Sequence, residues 1–298
     1  MGKIQNFWKN FQLWHERSEK VVSMNSRNLD YVYPSNLRRD YQLADNKLLT
    51  KETLEPLGFG LCETYFSYQY FYELSSLTQD LQTLESFVIK PAQGSGGNGI
   101  MVIKQRVDDK FITMSGEELT LKELKTHIAN IIFGVFALGL NDSAIIEERL
   151  IGHEDLSEFN TLGLCDIRLI YFKSQPVQAM LRIATKASKG KANLHQGGIG
   201  IAIELKTGKT SYAQHERKDL STHPETGVDL IGKVIPMWDE VLELSQKVAQ
   251  TLPLNYLGID IAIGEKKVVI LEVNARPGIE IQNVNHSGMR PMLEAIKI

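Results

Sequence analysis

The sequence predicts an α+β fold, and three observations carry that reading. Apolar residues recur at helical spacing through residue 84, a glycine-bearing hairpin follows, and short apolar strands dominate the second half. At 298 residues the chain is long enough for two domains of roughly 150 residues each or one large one. Hydrophobic content of 43% against 23% charged is that of a soluble globular protein with a sizeable core. A net charge of −3 and a pI near 6.2 give no general attraction to nucleic acid or to an anionic membrane, and leave room for a local basic cleft.

Ile4, Phe7, Trp8, Phe11 and Trp14 fall at three- and four-residue intervals, which predicts an amphipathic helix over 4–22 with an aromatic face. That face packs on its own domain, or docks on a membrane surface, a partner or a second copy of the chain. A second helix is expected over 45–57, ended near Gly58, and a third over 68–84 with Leu74, Leu77, Leu81 and Leu84 on a common side. The texture then changes to a hairpin over 87–104. A long helix over 121–138 and a short strand over 144–146 follow it. Strands are expected over 166–172, 177–183, 199–204 and 256–263, interrupted by one helix over 237–252. The segment 213–232 is polar and reads as a loop. These textures divide the chain into a helical N-terminal extension over 1–86, a lid subdomain over 87–150 and a C-terminal subdomain over 151–298.

The longest apolar stretch, 128–140 with Asn130 inside it, falls short of the roughly 20 residues that span a bilayer, so no transmembrane segment is expected. The N-terminus has aromatics where a signal peptide has an aliphatic core, and it lacks a small-residue cleavage site. Cys62 and Cys165 are the two cysteines, far apart and without metal-site spacing, which points to a reducing cytoplasm.

The run FVIKPAQGSGGNGIMVI, residues 87–103, sets Gly94, Gly96, Gly97 and Gly99 between two strands. Glycine exposes backbone N–H groups and turns at positive φ, so the cluster suggests an anion cradle with Lys90 adding charge; an ordinary hairpin turn is the alternative. The spacing also matches a dinucleotide fingerprint, which needs a helix to begin in the loop, whereas Ile100, Met101, Val102 and Ile103 continue as strand. No Gly-Lys-Ser/Thr closes a Walker loop, and neither His-Arg-Asp nor Asp-Phe-Gly follows as in a kinase.

Near the C-terminus, YLGIDIAIGEKKVVILEVNARPG reads as two strands joined by Gly264-Glu265-Lys266-Lys267. Alternation puts Glu272 and Asn274 on one face, and pairing across the turn brings Asp260 beside Glu272. Two carboxylates and an amide oxygen are hard ligands of the kind that bind Mg²⁺ together with phosphates; a solvated face is the other reading. Arg168 and Arg182 lie inside strand-type runs, where each needs a carboxylate or a phosphate partner. His195 belongs to the loop KANLHQGG and reads on its own as a hydrogen-bonding loop residue.

Taken together, Asp45-Asn46-Lys47, FVIKPAQGSGGNGI, AIIEERL, CDIR, KANLHQGG, GIDIAI and LEVNARPG run in the order of the ATP-grasp superfamily. Within it the chain resembles the RimK-like branch and its alpha-L-glutamate-ligase-like proteins, over about five sixths of its length. The resemblance implies an ATP-grasp fold: two α+β lobes enclosing ATP, with the glycine hairpin as a lid. It implies that Lys47 and Lys90 contact phosphates and that Gly94, Ser95, Gly96, Gly97, Asn98 and Gly99 close over them. Glu147, Glu148 and Leu150 would sit at the hinge that receives adenine and ribose, and Asp166 would also contact the nucleotide. Arg168, Arg182 and Asn193 match phosphate or acyl-phosphate contacts, with Arg276 meeting the transferred phosphate or a carboxylate. Asp260, Glu272 and Asn274 match ligands of Mg²⁺, as two ions replaceable by Mn²⁺, while His195 and Gln196 would face substrate.

The implied chemistry is ADP-forming ligation of a carboxylate to an amine through an acyl phosphate, on amino-acid or peptide substrates. It needs positioning and charge neutralisation rather than a protein nucleophile. A phosphotransferase and a nucleotide-binding regulator without turnover are the competing readings. One departure stands out. Typical RimK-like ligases carry a full α/β domain ahead of the first lysine, whereas about 45 residues precede Lys47 here, so Arg27, Asn28 and Arg38 either serve the cleft or anchor the N-terminal helix.

Overall fold

A computed structural model of the protein describes residues 18–94, 96–159, 163–188 and 190–297. The aromatic positions Ile4, Phe7, Trp8, Phe11 and Trp14 lie outside the described residues. Two antiparallel sheets carry the chain. The first contains β1 (Thr64–Tyr68), β2 (Phe87–Pro91), β3 (Met101–Val107), β4 (Lys110–Thr113), β5 (Glu118–Thr120) and β6 (Ala144–Glu147), in the order β1-β6-β2-β3-β4-β5. The second contains β7 (Asp166–Phe172), β8 (Gln175–Ile183), β9 (Ile199–Ile203), β10 (Thr210–His215), β11 (Lys218–Leu220), β12 (Tyr256–Ile263) and β13 (Val268–Asn274), in the order β11-β10-β9-β8-β7-β12-β13. With helices packed on both, the α+β expectation holds.

In the first lobe the helix Leu121–Ile132 starts on a capping box. Thr120 Oγ1 accepts from the Glu123 N–H at 3.3 Å, and the Glu123 carboxylate accepts from the Thr120 N–H at 2.8 Å. Leu124, Ile128 and Ile131, at helical spacing, then pack against Phe87, Ile89 and Ile146 of the sheet. The helix stops at Ile132 rather than near 138, because the chain folds back at Gly134. There φ is +76°, and a Cβ would sit 2.1 Å from the Leu140 carbonyl oxygen.

The helix expected over 68–84 is not continuous. Tyr68 ends β1, a 3₁₀ turn covers Phe71–Ser75, and only Leu77–Asp80 is α-helical. Thr64, Tyr65, Phe66 and Tyr68 favour strand, and β1 pairs with β6. The leucine pattern still reports burial, since Leu74, Leu77 and Leu81 are each 1% exposed in the lobe core. Because β1 belongs to this sheet, the sheet starts ahead of the boundary expected at Phe87.

In the second lobe the helix Trp238–Thr251 covers one face of the sheet with Trp238, Val241 and Val248. The N-terminal Val22, Tyr31 and Val32 and the C-terminal Ile281, Val284, Met289 and Leu293 cover the other. Every residue of β12 is therefore buried. The polar segment over 213–232 is only partly loop: Ala213 pairs with Leu220 and His215 with Lys218, adding a short hairpin at the sheet edge. An edge strand facing water shows no apolar alternation, which hid it.

Arg27 serves as an anchor. It is 4% exposed, and its Nη1 donates to the backbone carbonyls of Arg276 at 3.2 Å and Pro277 at 2.7 Å. It thereby fixes the chain leaving β13.

Leu77→Ala should destabilise the protein by about 2–5 kcal/mol in urea unfolding, as for any buried leucine. A change under about 0.5 kcal/mol would show that the broken 68–84 segment is not packed into the core.

Candidate active site

Alternation along β12 sends Leu257, Ile259, Ile261 and Ile263 into the larger core and turns Asp260 to the opposite face. Strand register then sets Arg168 opposite Asp260 on one side and Glu272 on the other, with Arg182 opposite Asp166. Arg168 grips Asp260 with both prongs, Nε to Oδ1 at 2.7 Å and Nη2 to Oδ2 at 2.6 Å. Arg182 adds Nη2 to Asp260 Oδ2 at 2.7 Å and Nε to Asp166 Oδ1 at 2.5 Å. Lys47 Nζ lies 3.1 Å from Glu272 Oε1. Three carboxylates thus meet three cations.

Burial alone would raise the Asp260 pKa, but the two guanidiniums outweigh it and hold the carboxyl down at about 2. Asp166 is also buried, shares Arg182 with Asp260 and feels that second carboxylate. Desolvation pushes it up to about 6 despite the guanidinium.

A second charge cluster lies at the junction of the lobes. Asn46 caps the helix Lys47–Leu54 by accepting from the N–H groups of Leu48 at 3.0 Å and Leu49 at 3.3 Å. That places Lys47 and Lys51 one turn apart on the same side. Lys47 Nζ donates to the Gly94 carbonyl at 2.8 Å. Lys51 Nζ donates to Glu147 Oε2 at 2.5 Å, to the Cys62 carbonyl at 2.8 Å and to Thr64 Oγ1 at 2.8 Å. Lys90 Nζ lies 2.5 Å from Glu147 Oε1. Burial would raise the Glu147 pKa, yet Lys90 and Lys51 hold it below the usual carboxylate range. Lys51 is nevertheless lowered, because desolvation outweighs the one carboxylate it shares. Two buried ammoniums on one carboxylate leave a net positive charge.

The neighbouring contacts are apolar. Leu150, Leu164 and Leu271 pack around Cys62, Ala262 and Val269. Glu148 turns outward, its Oε2 2.6 Å from Lys267 Nζ.

The glycine loop joins β2 to β3 as a hairpin, with Gly96 at φ +66°. Its Gly96 carbonyl accepts from Gln196 Nε2 at 2.9 Å and Asn193 Nδ2 at 3.3 Å. Ser95 lies outside the described residues. The loop therefore rests on the turn that carries His195, whose backbone N–H donates to Asn193 Oδ1 at 3.0 Å.

The model of a family described as sugar-transfer associated ATP-grasp matches residues 26–298. The chain belongs to that ATP-grasp family. Among curated proteins, it is 24% identical over 222 residues to "Probable alpha-L-glutamate ligase 2" of Pseudoalteromonas atlantica, a match covering 70% of this chain and 60% of that one. It is also 28% identical over 116 residues to "Ribosomal protein bS6--L-glutamate ligase" of Salmonella paratyphi B, covering 39% and 28%. The chain thus spans less than two thirds of the length of these relatives. Among solved structures, the ATP-grasp ligase PsnB complexed with a minimal precursor is similar at 15% identity and a TM-score of 0.47, over 88% of this chain and 63% of that one.

In this ATP-grasp chain the expected residues fall into groups. Lys47, Asp166, Arg168, Arg182, Asp260 and Glu272 converge, and Lys90 meets Glu147. The Glu147 carboxylate is taken up by two lysines, Lys51 and Lys90. Arg276 is half exposed, with Nη2 3.3 Å from Asp45 Oδ2 and its guanidinium 5.4 Å over the Tyr41 ring. Lys51 was not anticipated. The one available signal for Lys51 was its position a helical turn after Lys47.

Among the described residues no three acidic, imidazole or thiol groups converge to hold a metal. The candidate set is two carboxylates and an amide, and it fits Mg²⁺. Asp260 offers about four lone-pair sites, of which three are taken by guanidinium N–H groups, leaving one on Oδ1. Asn274 Nδ2 is buried without a hydrogen-bond partner, but it is a donor; only the amide Oδ1 of this residue could face a cation.

Glu147→Gln leaves two buried ammoniums without a counter-charge, and should cost about 3–5 kcal/mol in urea unfolding. A cost below about 1 kcal/mol would mean that water reaches the lysines. Asp166 binds its proton more tightly folded than unfolded between its ordinary 3.8 and about 6, so it makes stability fall as pH rises through that window. Unfolding free energies measured across this range should lose that decline in Asp166→Asn. An unchanged slope would assign the titration to another group.

Proposed function

We propose that the chain is an ATP-dependent, ADP-forming carboxylate-amine ligase. It joins an amino acid such as glutamate to an amine of a small molecule, peptide or protein. The observation that carries this reading is the gathering of five cations, Lys47, Lys51, Lys90, Arg168 and Arg182, against the four carboxylates Glu147, Asp166, Asp260 and Glu272, next to a glycine loop. Such an excess of positive charge suits a polyphosphate, and the relatives named as glutamate ligases support the choice of reaction.

In this reading the apolar hinge at Leu150, with the backbone of Glu147 and Glu148, receives adenine. Lys47 and Lys90 take phosphate oxygens while the loop from Gly94 to Gly99 covers them. Asp260, Glu272 and Asn274 would hold Mg²⁺, which supplies neutralisation of phosphate charge. Arg168 and Arg182, held in plane by Asp260 and Asp166, present fixed guanidinium forks to the transferred phosphoryl group. Glu272 releases Lys47 as the phosphates arrive. A substrate carboxylate oxygen attacks the γ-phosphorus and ADP departs. The amine nitrogen then attacks the acyl carbon and phosphate leaves. Asn193, His195, Gln196 and Arg276 border the path of the acceptor.

Incubation with Mg-ATP, an amino-acid panel and hydroxylamine tests the proposal. A hydroxamate formed together with equal ADP and phosphate is expected, whereas a stable phosphorylated product without hydroxamate would identify a phosphotransferase. Glu272→Ala should lower turnover by roughly 10²-fold or more, as for loss of a group that neutralises developing charge. Turnover that survives the change would refute the metal assignment.

A further inference from the structure

Beside the phosphate cleft, one strand beyond Arg182, lies a small cavity of about 110 Å³ bordered by Leu194, His195, Glu216, Arg217, Glu280 and Val284. We propose that it is the acceptor subsite and binds a small zwitterionic α-amino acid; this rests on the ligase reading above.

Its walls come from segments that also build the cleft. The turn carrying His195 holds the glycine loop through Asn193 and Gln196 on its other side. Glu280 follows Asn274 by six residues, past the stretch that Arg27 pins. The apolar lining residues Leu194 and Val284 pack tightly over Gly200, opposite Arg182 in register, where a Cβ would lie 2.7 Å from Val284 Cγ2 and 2.9 Å from Leu194 Cδ2.

The third wall is the tip of the β10–β11 hairpin. His215 pairs with Lys218, so Glu216 and Arg217 form a two-residue turn, at φ +48° and +64°. Such turns favour asparagine and glycine. Here two charged side chains occupy the strained positions, and among the described residues neither has a hydrogen-bond or ion-pair partner. Glu280 is oriented by Asn283, whose Nδ2 donates to its Oε2 at 2.9 Å.

The charges define the ligand. Glu216 and Glu280 suit an ammonium, Arg217 suits a carboxylate, and Leu194 with Val284 suits a short apolar side chain. A cavity of about 110 Å³ lies well under the roughly 300 Å³ at which drug-sized pockets begin, which matches a single small amino acid.

Calorimetric titration of the full chain in Mg-ADP with L-alanine, ethylamine and acetate tests the assignment. L-alanine should bind, with ethylamine and acetate each at least tenfold weaker. Glu280→Gln and Arg217→Met, each checked for native circular dichroism, should each weaken L-alanine at least tenfold. No L-alanine binding, equal binding in both variants, or ethylamine binding as tightly would overturn the subsite. Titrating Mg-ADP into the unaltered chain separates the two claims. Failure of ADP to bind refutes the ligase reading, whereas ADP binding without L-alanine binding refutes the subsite alone.

Discussion

Asp260 sits at the middle of β12, and its two oxygens accept three guanidinium N–H bonds from Arg168 and Arg182. A carboxylate 3% exposed to solvent is costly by itself, and two flanking arginines without it would be costlier still. The three groups are stable only together. Because Arg168 comes from β7 and Arg182 from β8, the triad also ties three strands of the second sheet through their side chains. Its lasting consequence is orientation. Guanidinium groups are planar and rigid, so fixing Arg182 between Asp166 and Asp260 fixes where its remaining donors aim.

The helix Lys47–Leu54 performs the corresponding task between lobes. Leu54 belongs to the core of the second lobe, while Lys51 reaches Glu147 at the end of β6 in the first. Lys47, one turn earlier, touches the Gly94 carbonyl of the first lobe and Glu272 of the second sheet. A helix of 8 residues thus carries two lysines that bridge the lobes. Its conformation depends on the Asn46 cap, because so short a helix gains little from its own hydrogen bonds.

Much of this was legible in the sequence where local pattern and tertiary role agree. The strands 166–172 and 256–263 were read with the bounds they have, because each is an apolar run whose polar interruptions are the cleft residues. The pairing of Asp260 with Glu272 followed from the turn at Gly264, which sets the register. Other features depend on contacts far along the chain. Lys51 meets a carboxylate 96 residues away, and nothing in its own helix announces that it is buried. Nor could the pattern say that the guanidiniums of Arg168 and Arg182 would claim most of Asp260. The broken helix at 68–84 shows the same limit: leucine spacing reported which side is buried, but the β-forming residues before Tyr70 and the pairing of β1 with β6 decided the backbone.

The contact between the glycine loop and the turn at Asn193 to Gln196 bears on how a nucleotide reaches the cleft. Two amide N–H groups converge on one exposed carbonyl, and such bonds contribute about 0.5–1.5 kcal/mol each at most, less where water competes. The hairpin itself is held at its base by β2, β3 and the lobe core, while Gly96, Gly97 and Gly99 carry the positive φ values at its tip. With the longer bond from Gln196 Nε2 to Asn98 Oδ1 at 3.5 Å, opening the tip breaks three weak bonds at that turn and leaves the lobe core intact. Closing it over phosphates would replace them with charge-assisted bonds, which are about twice as strong. For the ATP-dependent reaction proposed above, that balance of magnitudes would suit a loop that opens when the cleft is empty and is retained by its ligand.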